Sequence, residues 1–329
     1  MTQGSGTARS ASSRGPFGYA PMLLAACVMT ACDTTADAPV ARTTVDSVRT
    51  DTLGPLPVPL PPPAAWRMEE AGPLLAIAGV TPRTAIVLLP EYSDSTLHEL
   101  PDRDIESLVP QAVELFSRHG KAGEAVLAEI QKRSEDGCVA WPRAEVRPPD
   151  GNLPRSWTVG LAEGVARELP LDSIESLTSA DSARLAAEVT RLASIAPGDT
   201  ATVLDGIPYV VRTARRFELD AQTRGLVALV GRRLASEATP LVEYVFLVAE
   251  RPTGSSRATA WRIGHAERAI GAEETVETTD VLAGVLLGSD ARPSLIVARD
   301  YGTSITFSLL ERVSPGRWIV RWSSANATC

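Results

Sequence analysis

Three histidines, four cysteines and a run of carboxylates are the first places to look for chemistry in this 329-residue chain. His98, His119 and His265 are too far apart in sequence to make a ligand pair on one element. His98-Glu99 opens like a zinc-protease helix, but no second histidine follows at the fourth position, so a metal has nothing to grip. His119, beside Gly120, fits a helix end, where an imidazole suits the negative pole of the dipole. His265 shares strand parity with Trp261 and Ile263 and fits a half-buried sheet position. Glu273, Glu274, Glu277 and Asp280 form an acidic cluster. Such a cluster can hold Ca²⁺ or raise the pKa of one member for acid–base work, and it can equally be a solvated hairpin rim that protects a sheet edge. No metal site is assigned on it. The sequence has no Gly-x-Ser-x-Gly elbow, Ser-x-x-Lys pair, phosphate loop or dinucleotide fingerprint, so it specifies no catalytic residue and no cofactor.

Charge narrows the partners. The formal net charge is −8 and the pI about 5.1, which argues against nucleic acid, since phosphate-backbone binding needs a basic field. A 44% hydrophobic, 22% charged composition excludes a wholly disordered or multi-span membrane chain.

The N-terminus reads as an address. Arg9 and Arg14 are the only charges before Asp33, and a mostly apolar run from Pro16 to Ala31 follows, too short to span a bilayer. It ends in small residues before a cysteine, and residues 1–32 thereby resemble the lipobox signal of bacterial lipoproteins. The resemblance implies export, cleavage just before the cysteine, and a lipid on it that tethers the protein to a membrane of the cell envelope. Two cysteines compete. Leu24-Ala25-Ala26-Cys27 is the better local match, whereas Met29-Thr30-Ala31-Cys32 has Met in the Leu position. Cys32 is favoured because polar Asp33-Thr34-Thr35 follow it at once, and because it leaves Cys138 and Cys329 as an even pair. In the oxidising compartment that export implies, a Cys138–Cys329 disulfide is expected. Residues 33–63 then form a tether, Thr- and Asp-rich at first. Residues 53–63 hold six prolines in eleven positions, an extended polyproline rod.

The elements that would position a site lie in residues 64–329. Leu74–Ala78, Ala85–Leu89 and Trp157–Leu161 read as buried strands. Ile105, Leu108, Val109, Val113 and Phe116 recur at helical spacing, interrupted by Pro110 and stopped at Gly120. Residues 124–133 fit helix or strand equally. A helix is expected over 180–196, capped by Thr178 or Ser179 and ended by Pro197-Gly198, and a second near 223–236 on Leu226, Val230 and Leu234. Tyr209–Thr213 is a strand between them. After Pro240 the period becomes two, giving six strands near 241–250, 257–268, 276–287, 294–299, 303–313 and 317–323. A tight turn at Ser314–Arg317 would set Val313 against Trp318, Glu311 against Val320 and Leu309 against Trp322, with Glu311 the sole polar residue on that face. The fold class expected is α+β: an antiparallel meander over 241–323 with covering helices, after a mixed α/β region over 64–200. The second region begins near 201, unless 64–329 is one continuous domain.

Gly288–Val297 resembles a blade segment of FG-GAP or integrin-like propellers, with Asp290 standing alone where that family has several Asp or Asn ligands for Ca²⁺. The segment does not repeat. Six tryptophans in a chain with so few aromatics offer a sugar-stacking platform, although Trp318 and Trp322 fall on the expected apolar face. Three readings follow: a non-enzymatic ligand- or partner-binding domain, a tethered envelope hydrolase with carboxylates paired across the fold, and an assembly component with neither pocket nor patch. The protein or small-molecule partner is not specified.

Overall fold

The computed structural model describes residues 72–77, 82–92, 96, 99–131, 141–199, 202–235, 240–253, 260–302 and 304–324, all within one compact unit that begins at Pro59. Its first part is a closed antiparallel barrel. The strands are β1 (Leu74–Ile77), β2 (Thr84–Leu88), β3 (Gln111–Ser117), β4 (Gly120–Gln131), β5 (Arg143–Arg147) and β6 (Val159–Ala162), with the short helix α1 (Asp102–Glu106) between β2 and β3. Their order around the barrel is β1-β2-β5-β4-β3-β6. Closure comes from β6, which pairs with β3 on one side and with β1 on the other, setting Leu75 opposite Gly160. A Cβ on Gly160 would sit 3.2 Å from the Leu75 side chain, so a residue without a side chain lets the barrel close. Leu75, Val87, Leu115, Leu127 and Val146 share the face of Gly160 and fill the interior, and the buried Trp157 donates its indole N–H to the Pro82 carbonyl at 2.9 Å.

Two five-stranded antiparallel sheets follow. The connecting strands are β7 (Ala166–Glu168) and β8 (Asp172–Ser173), and then come α2 (Ser179–Ile195), β9 (Val210–Asp220), β10 (Thr223–Leu234) and β11 (Leu241–Pro252). The last five strands are β12 (Arg262–Ala272), β13 (Thr278–Leu287), β14 (Arg292–Asp300), β15 (Ile305–Ser314) and β16 (Arg317–Ser323). The first sheet runs β12-β11-β10-β9-β8 and the second β16-β15-β14-β13-β7. One core forms between the sheets, with Phe217, Val227, Phe246 and Val248 of the first against Val281, Leu295, Val297, Leu310 and Trp318 of the second. The other face of the second sheet, with Val285, Ile296, Phe307 and Leu309, joins the barrel core. The outer face of the first sheet takes α2 through Val189, Leu192 and Ala193. Each large apolar side chain buried there contributes about 1.5–3 kcal/mol.

Mostly antiparallel β structure is therefore present, and all six C-terminal strands form, yet they are no single meander: β11 and β12 belong to one sheet, β13 to β16 to the other. Among the described residues α2 is the one long helix, and the second sheet is covered by the first sheet and the barrel rather than by helices. The Thr178 hydroxyl does cap α2, accepting from the Asp181 N–H at 3.2 Å. Two expected helices are strands. Residues 111–117 form β3, because Pro110 confines the helix to Asp102–Glu106. Residues 223–234 form β10, buried on both faces, where Leu226, Val230 and Leu234 satisfy a period of two as well as of four. Gly225 marks it: a Cβ there would lie 2.1 Å from the Phe217 ring. The hairpin register also needs correction. Leu309 does face Trp322, but bulges shift the rest, so Leu310 faces Val320, Glu311 faces Ile319 and Arg312 faces Trp318. Trp318 consequently enters the inter-sheet core while Trp322 packs toward the barrel.

Candidate functional site

The two sheets separate at one end and leave a cleft of about 580 Å³ between them. From the first sheet β10 contributes Leu229, β11 Tyr244 and Phe246, and β12 Glu267; from the second come Thr279, Arg299, Thr306 and Ser323, with Glu277 just before β13 and Tyr301 just after β14. Register explains the grouping: Phe246 lies opposite Glu267, and Arg299 opposite Thr306.

Arg299 is the hub. Its side chain is 9% exposed and its Nη2 and Nε donate to the two oxygens of Glu267 at 2.6 and 3.2 Å, a fork-to-fork pair across the sheets. Its Nη1 donates to the Ser308 hydroxyl, which contacts the Ser323 hydroxyl at 2.8 Å. His265 Nε2 adds a bond to the same Glu267 oxygen at 2.8 Å. Burial alone would raise Glu267, but the bonds from His265 and Arg299 outweigh it and hold the carboxyl at about 2. Glu277 is different. It lies 3.4 Å from Arg299 Nε, with Tyr301 donating to it, and burial together with the Glu267 charge pushes its carboxyl above the usual range. Burial and the Glu277 charge likewise raise the Tyr301 hydroxyl, which accepts from Thr306. The cleft thus has one carboxylate locked by its framework and a second, poorly solvated, facing the opening among hydroxyls and aromatic rings.

Two other buried charge clusters hold the framework. Glu243, fully buried, accepts from Arg232 and Arg268, while the Tyr209 hydroxyl donates to it at 3.0 Å. Arg268 also donates to the Ala193 and Ala196 carbonyls at 2.8 Å, satisfying the end of α2. Glu250 joins the sheets away from the cleft, accepting from Arg312 at 2.7 and 2.9 Å, the Gly316 N–H at 2.9 Å and the Trp318 indole at 2.7 Å. With four donors on Glu250 and three on the fully buried Glu243, these two carboxylates are structural.

The acidic run is dispersed onto arginines. Glu273 pairs with Arg233 at 2.9 Å, Asp280 with Arg118, Glu277 enters the cleft and Glu274 is exposed. Among the described residues no group of three or more His, Cys, Asp or Glu is placed to hold a metal. His119 is exposed in the β3–β4 turn rather than at a helix end. Asp290 is engaged by Arg292 at 2.7 Å, and Trp141, Trp157, Trp261 and Trp318 are buried, which leaves no exposed tryptophan platform among them. Cys27, Cys32, Cys138, Cys329, His98, Trp66 and the whole 1–63 segment lie outside the described residues. Glu267 and Arg299 escaped the sequence reading. No local signal marked them, since β12 also carries Arg262, His265 and Arg268, and β14 also carries Arg292 and Asp300.

The fold and cleft define an antiparallel β protein in which a barrel backs a two-sheet sandwich with a polar inter-sheet cleft. No protein-family model, curated protein or solved structure matches the chain. Among the described residues no helix is long and apolar enough to cross a membrane.

Proposed function

We propose that the protein is an exported, lipid-anchored binding protein of the cell envelope, and that the inter-sheet cleft takes a small, donor-rich polar ligand such as an amine or an amino sugar. The observation that carries the reading is Glu277, a half-buried carboxyl with a raised pKa, set among Tyr244, Phe246 and Tyr301 and only weakly served by Arg299. Bringing a donor or cation to it relieves an unfavourable ionisation, and the aromatic rings favour a cationic group. Titration calorimetry of the wild type with primary amines, neutral sugars and amino sugars tests it. Saturable binding of an amine-bearing ligand, lost in Glu277→Gln, is expected; no binding, or equal binding in the variant, sinks the reading.

A hydrolase reading has one observation in its favour. Glu267 and Glu277 touch the same guanidinium and their pKa values are pushed apart, as in acid–base pairs. Both Glu267 oxygens are occupied by Arg299 and His265, however, which leaves no free nucleophile or base. Binding is the better account.

Anchoring rests on the lipobox-like residues at Cys32, with Cys27 as the competing site, and on the proline-rich spacer. Mass spectrometry of the mature N-terminal peptide should show a lipid on Cys32, and Cys32→Ser should release the protein from membranes. An unmodified terminus, or a start at Cys27, contradicts this placement.

A further inference from the structure

On the opposite face of the first sheet from the cleft, beside α2, lies a groove of about 500 Å³ lined by Arg184, Arg191, Arg216, Arg224, Arg251 and Trp261. Five guanidinium groups against two carboxylates, Asp181 and Glu188, in one groove stand out in a chain of net charge −8. Three are at least partly neutralised: Arg184 pairs with Asp181, Arg191 holds Glu188 through two bonds at 2.9 and 2.7 Å, and Arg224 Nε bonds Glu218 at 2.8 Å. The other two are less well served. Arg216 Nε is buried with no hydrogen-bond partner among the described residues, and its Nη2 makes only a long ion pair with Asp172, at 3.8 Å. Arg251 has no carboxylate partner among the described residues, and its guanidinium lies 4.9 Å over the Trp261 ring. Register adds a second observation. Arg224 and Arg251 stand directly opposite each other on β10 and β11, a like-charged cross-strand pair that costs stability. An orphaned buried donor and a repelling pair beside it are both relieved by one multivalent anion.

We propose that this groove binds a phosphate group. Guanidinium forks match phosphate oxygens bidentately, and a dianion has acceptors enough for Arg216, Arg251 and the free edge of Arg224 together. The phosphate can be carried by a soluble ester or by a lipid headgroup, and the groove chemistry is the same for both.

The test uses the purified folded chain with three probes: inorganic phosphate, glucose 6-phosphate, and phosphatidylglycerol-containing vesicles compared with pure phosphatidylcholine. Saturable binding is expected for at least one probe, weakened about tenfold or more in the Arg216→Gln/Arg251→Gln double variant, since bonds to charged groups are the strong ones. Binding of either soluble probe assigns a soluble source; binding of the anionic vesicles alone assigns a lipid. A second readout needs no variant: the Arg216 Nε–H resonance of the wild type should move and saturate on addition of the probe that binds. No saturable binding of any probe, an unmoved Arg216 resonance, or equal affinity in a folded double variant overturns the assignment.

Discussion

The barrel and the sandwich solve the same packing problem with different residues. Among the described residues the barrel strands bury no charged side chain, and the polar groups they do bury, Ser117 and the Gln111 amide oxygen, are uncharged. The buried charged residues among those described, Arg232, Glu243, Glu250, Arg299 and Glu311, all lie in the two sheets. Taking a charge out of water costs several kcal/mol and is rarely repaid in stability, so five such residues in one half are there for placement. Glu243 fastens α2, Glu250 fixes one end of the sandwich, and Glu267–Arg299 holds the other end where the cleft opens. Glu311 sits on Arg292 and Arg321 at 3.4 and 3.6 Å. The barrel is scaffold; the sandwich carries the directional contacts that a site requires.

Removing one member of a buried charge network should have the largest effect. Glu243→Ala leaves Arg232 and Arg268 buried and unpaired, and should cost about 3–5 kcal/mol in urea unfolding. A cost below about 1 kcal/mol would mean that the charges are better solvated than their burial implies. In the barrel, Leu127→Ala should cost about 2–5 kcal/mol through the cavity it leaves, and that cost should not vary between pH 3 and pH 8. A strong pH dependence of it would erase the contrast between the two halves.

The third test uses acid. Glu267 is held at about 2 against an ordinary 4.5, so its contribution is complete above about 4.5 and is lost as the pH falls toward 2. The loss should be about 3 kcal/mol, read from unfolding at a series of pH values, and should vanish in Glu267→Gln. Glu277 has the opposite sign: its raised pKa favours the fold below about 4.5 and weakens it as the pH rises through the folded value. Glu277→Gln should therefore stabilise the protein at pH 7 relative to the wild type while abolishing ligand binding. Destabilisation with binding intact would show that Glu277 serves the fold.

The same contrast governs what the sequence makes legible. Strict alternation and the turns at Gly288-Ser289-Asp290, Asp300-Tyr301-Gly302 and Pro315-Gly316 reveal the last strands, and Thr178 with Pro197-Gly198 brackets α2. Strands buried on both faces are opaque: β10 carries apolar residues on both parities, and spacing by four cannot separate helix from strand. Barrel closure is equally hidden, since Leu75 and Gly160 meet across 85 residues without any local signal. The bulge at Leu309/Leu310 flips Trp322 away from Trp318, a one-residue event that alternation does not encode. Of the cleft, only Glu277 stood out in sequence, inside an acidic run whose other members bind arginines or solvent. Glu267 and Arg299 are separated by 32 residues and belong to different sheets, so only the packing of one sheet on the other brings them together.

The measurement that bears most directly on the division between a tightly and a loosely held carboxylate is a side-chain ¹³C NMR pH titration of Glu267 and Glu277 in the wild-type protein. The account predicts that Glu267 titrates near 2 and Glu277 above 4.5, with Glu277 falling when an amine-bearing ligand occupies the cleft. Two carboxyls titrating together near 4.5, and indifferent to ligand, would contradict it.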